Sequence, residues 1–299
     1  MDMNMINYSI IIPHKNIPDL LQRCLNSIPR RTDIQIIVVD DNSDPKKVDF
    51  EHFPGVGEKC VEVYFTKEGK GAGYARNMGL KYAKGKWLLF ADADDYFVDD
   101  LLPFFDEYVY SVLDIVFFDV ESRDNITNEL TNESRNISEA LHICDFKEKT
   151  SLVNLVFNNE VPWGKIIKNN LVKQYGILFD EVLASNDTMF MLKSLYYATA
   201  IGFFDKILYC WSTRQNSLVH SLSKDIIMSR YEVCLRRNRF CIDKGYKIYS
   251  RSIANWLLQI ANFGIISLYE AFVLCYKYRI NPFNKCQNWL RYIRAYMCI

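Results

Sequence analysis

The chain has 299 residues, 49% hydrophobic and 24% charged, which supplies a sizeable core and excludes global disorder. Its 36 basic and 36 acidic side chains cancel, and a net charge of zero argues neither for nor against a nucleic-acid partner. The balance is uneven, however: residues 224–299 hold 13 Lys and Arg against 4 Asp and Glu, a net of +9 that leaves −9 on residues 1–223.

Tyr8 to Pro13 is a short β-branched run closed by proline, a first buried strand. Leu20, Leu21, Cys24, Leu25 and Ile28 then recur at helical spacing. Gln35 to Val39 is a second buried strand, running into Asp40, Asp41, Asn42 and Ser43; Val61 to Phe65 is a third. A flexible loop from Gly69 to Gly73 precedes a helix through Ala75 and Met78 to Ala83, stopped by Gly85, and Trp87 to Phe90 is a fourth strand. Strands alternating with helices at this spacing predict an α/β fold, a parallel sheet covered by helices on both faces.

Asp114 to Val120 reads as a further strand, and residues 121–138, rich in Asn, Ser, Thr and Glu, as an exposed loop or hairpin. Leu152 to Phe157 is helical, and the segment from Trp163 leads into another helix. Ala200 to Phe204 and Ile207 to Trp211 are expected to pair as two strands, and helical periodicity dominates from Asp225 onward.

The fourth strand ends in Asp92, Asp94 and Asp95, three acids within four residues. Acids so close repel one another unless a cation or strong donors neutralise them. In open α/β sheets, ligands sit at the carboxyl ends of the strands. A hard divalent ion, Mn2+ or Mg2+, holding a diphosphate fits all-oxygen donors there; the plainer alternative is a solvated acidic turn. Asp40 and Asp41 after the second strand suit a base N–H or a ribose hydroxyl, or else a simple turn. Gly69, Gly71 and Gly73 lack the further glycine a dinucleotide loop needs, since Arg76 stands there, and Gly79 to Trp87 has the wrong spacing for a phosphate loop.

Four segments in order resemble family 2 glycosyltransferases: Ile11 to Asn16 around Pro13 and His14, Val38 to Ser43 around Asp40 and Asp41, Gly73 to Gly79 with Arg76 and Asn77, and Phe90 to Asp95. The resemblance covers roughly residues 6–220 and implies the GT-A fold, a Rossmann-like mixed sheet flanked by helices, here with a C-terminal helical extension. It implies a nucleotide-sugar-binding part over 1–120, an acceptor-binding part over 121–223, and a basic, aromatic-rich helical region over 224–299. By it, Pro13, His14, Asn16, Asp40, Asp41, Arg76, Asn77, Asp92, Ala93 and Arg214 would hold the nucleotide-diphosphate sugar, a UDP-sugar foremost, with Asp41 reaching the base. Asp92-Ala93-Asp94 would be the family's Asp-x-Asp, with Asp94 and Asp92 as metal ligands.

Downstream, Trp163-Gly164-Lys165 and Asn186-Asp187 through Phe190 resemble the family's tryptophan segment and its Glu-Asp-x-x-Phe motif. Asp187 would then be the catalytic base, with Trp163 and Asn186 at the sugar and acceptor pocket. Asn186 replaces the family's usual Glu. Without the resemblance, Ser185 to Asp187 is a helix N-cap. The Gln-x-x-Arg-Trp signature of processive synthases is absent, which favours transfer of a single sugar.

The resemblance thus implies an inverting, metal-dependent transferase acting on a glycan or lipid-linked acceptor, as in surface-polysaccharide assembly. Two rivals are a non-catalytic nucleotide-sugar-binding protein and a metal-dependent nucleotidyltransferase. In the tail, Arg236, Arg237, Arg239, Lys277, Arg279, Arg291 and Arg294 alternate with aromatics such as Trp256, Tyr269, Tyr276 and Trp289. That mixture suits either a helical subdomain or peripheral contact with an anionic membrane, and no nucleic-acid recognition module accompanies it. The nine cysteines form no C-x-x-C pair, and the first residues carry no signal-peptide pattern, so a cytoplasmic protein with reduced thiols is expected.

Overall fold

Because the first strands are apolar on both faces, they are stable only when covered on both sides. The computed structural model describes residues 5–214 and 222–282 and meets that demand. β1 (Tyr8–His14), β2 (Ile34–Asp40) and β4 (Trp87–Phe90) are buried along their whole length. Successive residues of each strand enter opposite layers: Ile10, Ile12, Ile36, Val38 and Leu89 pack in one core cluster. Ile11, Ile37, Val39, Leu88 and Phe90 pack in the other.

β3 (Val61–Phe65) lies beside β2. With α1 (Pro18–Asn26) and α2 (Ala72–Tyr82) they complete a parallel half-sheet in the order β3-β2-β1-β4. Beyond β4 the sheet continues β7-β6-β8-β5 and becomes mixed. β7 (Lys165–Lys168) runs antiparallel to both β4 and β6 (Ile115–Asp124). β8 (Ile201–Thr213) is parallel to β6, and the two-residue β5 (Tyr96–Phe97) is antiparallel to β8. The remaining helices are α3 (Leu102–Tyr108), α4 (Arg135–His142), α5 (Lys149–Asn158), α6 (Asn169–Gln174), α7 (Thr188–Tyr197), α8 (Lys224–Asp243), α9 (Ala254–Ala261) and α10 (Ile265–Lys277).

Three expectations change. The two apolar runs at 200–211 are one strand rather than a pair. Phe118 pairs with Phe204 and Asp119 with Ile207, so Asp205 and Lys206 bulge out of a continuous ladder. The polar stretch 121–138 is not all loop: β6 extends to Asp124 against β8, an antiparallel bridge from Arg123 to Leu130 makes the short hairpin that was the other expectation, and α4 begins at Arg135. Pairing partners far along the chain override its weak local strand propensity. Finally, the approach to α6 is itself a strand, β7, too short for its period to be read. Trp289, Arg291 and Arg294 lie outside the described residues.

α8, α9 and α10 share a core of their own that includes Ile227, Tyr231, Leu235, Leu257 and Ala271. α8 is also tied to the rest of the chain. Arg237, 2% exposed, donates to Glu160 at 2.8 Å and to the Phe157 and Tyr249 carbonyls at 2.8 and 2.9 Å. Arg236 pairs with Asp180 at 2.8 Å.

Gly85 marks where α2 gives way to β4, and a Cβ there would lie 2.5 Å from the Ser9 nitrogen and 2.7 Å from the Tyr8 carbonyl carbon. Backbone cannot retreat as a side-chain tip can. Gly85→Ala should therefore cost about 1–3 kcal/mol, read as a lowered midpoint in denaturant melts; an unchanged midpoint would show that the strand can shift.

Candidate active site

Parallel order puts the carboxyl ends of β2, β1 and β4 along one edge, and the acids that follow them gather there. Asp41, 2% exposed, accepts from the Gly71 N–H at 2.9 Å and from Lys15 Nζ at 3.1 Å, both on Oδ2. Its Oδ1 is buried without a hydrogen-bond partner. An unmet buried acceptor costs on the order of 1–3 kcal/mol, so this atom is ready for a donor from outside. Pro13 is buried near the end of β1, opposite Val39 of β2.

His14 and Asp40, also expected at the donor, bond each other and the loops beside them. His14 Nε2 accepts the Ile17 N–H at 3.1 Å, which puts the ring proton on Nδ1, 2.7 Å from Asp40 Oδ1. Asp40 also accepts from the Ser43 N–H and hydroxyl. Both side chains thereby spend their polar atoms on holding the β1 and β2 loops. Asn16 does likewise: its N–H donates to Ser43 Oγ, and its Oδ1 accepts the Asp44 N–H. Asn77 is spent as well, since its amide donates to the Phe179 carbonyl at 3.0 Å and accepts the Phe179 N–H at 2.9 Å. It clasps the 177–187 segment to α2.

After β4, one carboxylate oxygen from each of Asp92, Asp94 and Asp95 lies within 4.8 Å of the others. Asp95 is 1% exposed and accepts from the Tyr209 hydroxyl at 2.6 Å and the Ser212 N–H at 2.8 Å. Burial and the charges of Asp94 and Asp92 hold its carboxyl well above the usual range. Asp95 thus anchors the turn. Asp94 and Asp92 face outward, and burial, then Asp92, raises the Asp94 pKa too. Each gives one oxygen to an arginine, Asp94 Oδ2 to Arg214 and Asp92 Oδ1 to Arg76. Asp94 Oδ1 and Asp92 Oδ2 accept no hydrogen bond among the described residues. Two outward oxygens on crowded carboxylates fit a hard divalent cation.

Arg76, 5% exposed, is the bridge to the second half of the site. One terminal nitrogen meets Asp92 at 2.5 Å and the other meets Asn186 Oδ1 at 2.7 Å. Gly73 lets the two halves close: a Cβ there would lie 2.1 Å from the Asp180 carbonyl oxygen. Asp187 occupies the position before α7, yet its side chain makes no capping hydrogen bond. The capping alternative fails, and the carboxylate is left for other work. Burial lifts its pKa to about 6, opposed by the Arg76 guanidinium.

Further side chains brace the site from behind. Trp163, 4% exposed, stacks on Tyr209 with centroids 5.3 Å apart, and Tyr209 holds the acidic turn. Its hydroxyl donates to Asp95 and accepts the Asp92 N–H at 3.0 Å. Arg23 of α1 donates to the Asp94 carbonyl at 2.5 Å and to Ser212 at 3.0 Å. Lys165 is 1% exposed and gives its three donors to Asn159, Val161 and Trp163; burial pulls its pKa down to about 7, and Asp187 pushes it up. Thr188, next to Asp187, donates to Glu160 at 3.0 Å, the same carboxylate that Arg237 grips. Tyr209 and Ser212 stand opposite Asp95 only because β8 joins the sheet.

The model of the family described as "Glycosyl transferase family 2" matches residues 9–176. The chain belongs to that family. It is 28% identical over 225 residues to the poly(ribitol-phosphate) beta-N-acetylglucosaminyltransferase TarS of Staphylococcus aureus, covering 71% of this chain and 36% of that protein. It is 31% identical over 205 residues to a poly(ribitol-phosphate) beta-glucosyltransferase of Bacillus spizizenii, covering 65% and 30%. The chain thus spans about a third of the length of the curated relatives it matches.

Among solved structures, S. aureus TarS 1-349 in complex with UDP-GlcNAc superposes with a TM-score of 0.60 at 21% identity, covering 90% of this chain and 83% of that one. The mannosyltransferase PcManGT of Pyrobaculum calidifontis, in complex with GDP-Man and Mn2+, gives 0.57 at 15% identity, covering 91% and 82%. These likenesses establish the GT-A fold: a mixed sheet flanked by helices, with helices following it.

The Arg76 bridge yields a direct expectation. Arg76→Lys keeps the charge but reaches only one of Asp92 and Asn186. Turnover should fall at least about tenfold (roughly 1.4 kcal/mol) in steady-state assays, with nucleotide affinity changed much less. Equal losses in both would place Arg76 in the donor pocket instead.

Proposed function

We propose that the chain is an inverting glycosyltransferase that moves one sugar from a nucleotide diphosphate to an acceptor hydroxyl. The observation that carries this reading is the uncapped Asp187 carboxylate, linked through Asn186 and Arg76 to the acid cluster at the end of β4. A free base and a diphosphate-holding cluster joined by one buried guanidinium are the parts a single displacement requires.

In this reading Asp41 Oδ1 accepts the base N–H, with Pro13 forming the wall beside it. Asp94 and Asp92 would hold Mg2+ or Mn2+, which supplies charge to stabilise the departing diphosphate. Asp187 takes the proton of the acceptor hydroxyl as its oxygen bonds to the anomeric carbon. The bond from that carbon to the diphosphate oxygen breaks on the opposite face, and the electron pair leaves with the nucleotide. Arg214, which pairs with Asp94, would meet a diphosphate oxygen. Configuration inverts once, and no covalent nucleophile is required.

Both relatives named above act on poly(ribitol phosphate), and TarS is seen with UDP-GlcNAc. These support a UDP-sugar as donor and a surface glycan or lipid-linked chain as acceptor. A panel of UDP- and GDP-sugars with Mn2+, followed by nucleotide release, tests the donor; silence across the panel would favour a binding protein without catalysis.

Asp187→Asn should lower transfer by about 10²–10⁴-fold while UDP binding survives. Because burial opposes its charge, the same variant should melt higher than wild type at neutral pH; full activity in it would remove Asp187 from the base role. The base must be ionised, and its pKa is raised to about 6. Transfer should accordingly fall as pH drops through 6, and this acid limb should vanish from the residual rate of the variant. Asp94→Ala should abolish the part of donor binding that chelation by EDTA also abolishes, as isothermal titration would report.

A further inference from the structure

α10 is apolar on the wrong side. Its buried face consists of the small residues Ser267, Ala271 and Cys275. Its outward face carries Ile265 at 79% exposure, Ile266 at 71%, Tyr269 at 69%, Val273 at 47% and Tyr276 at 88%, with Phe272 at 36%. At about 100° per residue, Ile265, Tyr269, Phe272 and Tyr276 fall along one line, with Ile266 and Val273 beside it. Glu270 and Lys277 lie at the margin, paired with Lys224 and Glu232. Soluble proteins rarely leave such a stripe uncovered.

We propose that this face docks the protein on an anionic lipid surface. Charge argues for that occupant over the others. Residues 224–299 carry +9 and residues 1–223 carry −9, so an anionic surface attracts the helical end, repels the rest and turns α10 toward itself. A second copy would instead bring +9 against +9. Tyrosines mixed with isoleucine and valine match the boundary between headgroups and acyl chains. Directly after Pro282 the sequence adds Lys285, Arg291 and Arg294 with Trp289, Tyr292 and Tyr296, and no acid. Among the described residues no helix is long and apolar enough to cross a membrane. The proposal stands independently of what the active site transfers.

The test is co-sedimentation of the full chain with vesicles of phosphatidylcholine alone or mixed with phosphatidylglycerol. Wild type should pellet with the mixed vesicles and remain in solution with the neutral ones, and high salt should release it. Val273→Glu with Tyr276→Glu, both at exposed sites, should weaken partition at least about tenfold without changing the melting midpoint or nucleotide release in solution. Wild type that ignores anionic vesicles would overturn the proposal. So would a double variant that binds as well as wild type, or a dimer in light scattering that the substitutions dissolve, which would assign the face to a second copy.

Discussion

A single guanidinium holds the site together. Arg76 is almost wholly buried, and a charge in that position persists only when paired and hydrogen-bonded. It finds Asp92 after β4 on one side and Asn186 in the loop before α7 on the other, residues far apart in the chain. The acid turn and the loop before α7 are therefore not independently placed. The family's usual Glu at position 186 would give Arg76 two carboxylates to neutralise. With Asn186 the pair is balanced, and Asp187 has one fewer negative neighbour opposing its ionisation.

The sheet supplies the second condition. Parallel β2, β1 and β4 end together, so Asp41 and Asp92 share an edge without any long-range design. The mixed half supplies what that edge lacks. β8 delivers Tyr209 and Ser212 to Asp95, and their two hydrogen bonds fix the turn from behind. Asp95 is thus an acid whose work is structural, while Asp94 and Asp92 keep oxygens facing outward. Burial and two hydrogen bonds thus set one of three neighbouring carboxylates apart as an anchor and leave the other two with an oxygen facing outward.

Much of this was legible in the residues. Continuous apolar runs announced β1, β2, β3 and β4, and acids after two of them announced the edge, because burial on both faces leaves a pattern that needs no partner to be recognised. The second half was harder to read. β7 is four residues long, and β6 runs through Glu121, Ser122, Arg123 and Asp124, whose strand conformation is imposed by β8. Family resemblance identified His14, Asp40, Asn16 and Asn77 as part of the site, but not that their polar atoms face inward. Hydrogen-bond partners belong to the folded pair, not to either residue's type. Arg23, Tyr209 and Glu160 had no signature at all, since what matters in each is the place where the chain returns.

The grip of Glu160 has a consequence for how such enzymes diversify. Its carboxylate joins Thr188, beside the proposed base, to Arg237 of α8 and Arg251 beyond it. Replacing the helices after residue 223 with those of another enzyme would leave that carboxylate half-buried and without its cations, pulling on the first turn of α7. The C-terminal helices and the start of α7 must therefore be inherited together. Specificity can drift freely in surface loops, but recombination between homologues is constrained to crossovers that keep positions 160, 237 and 251 from one parent.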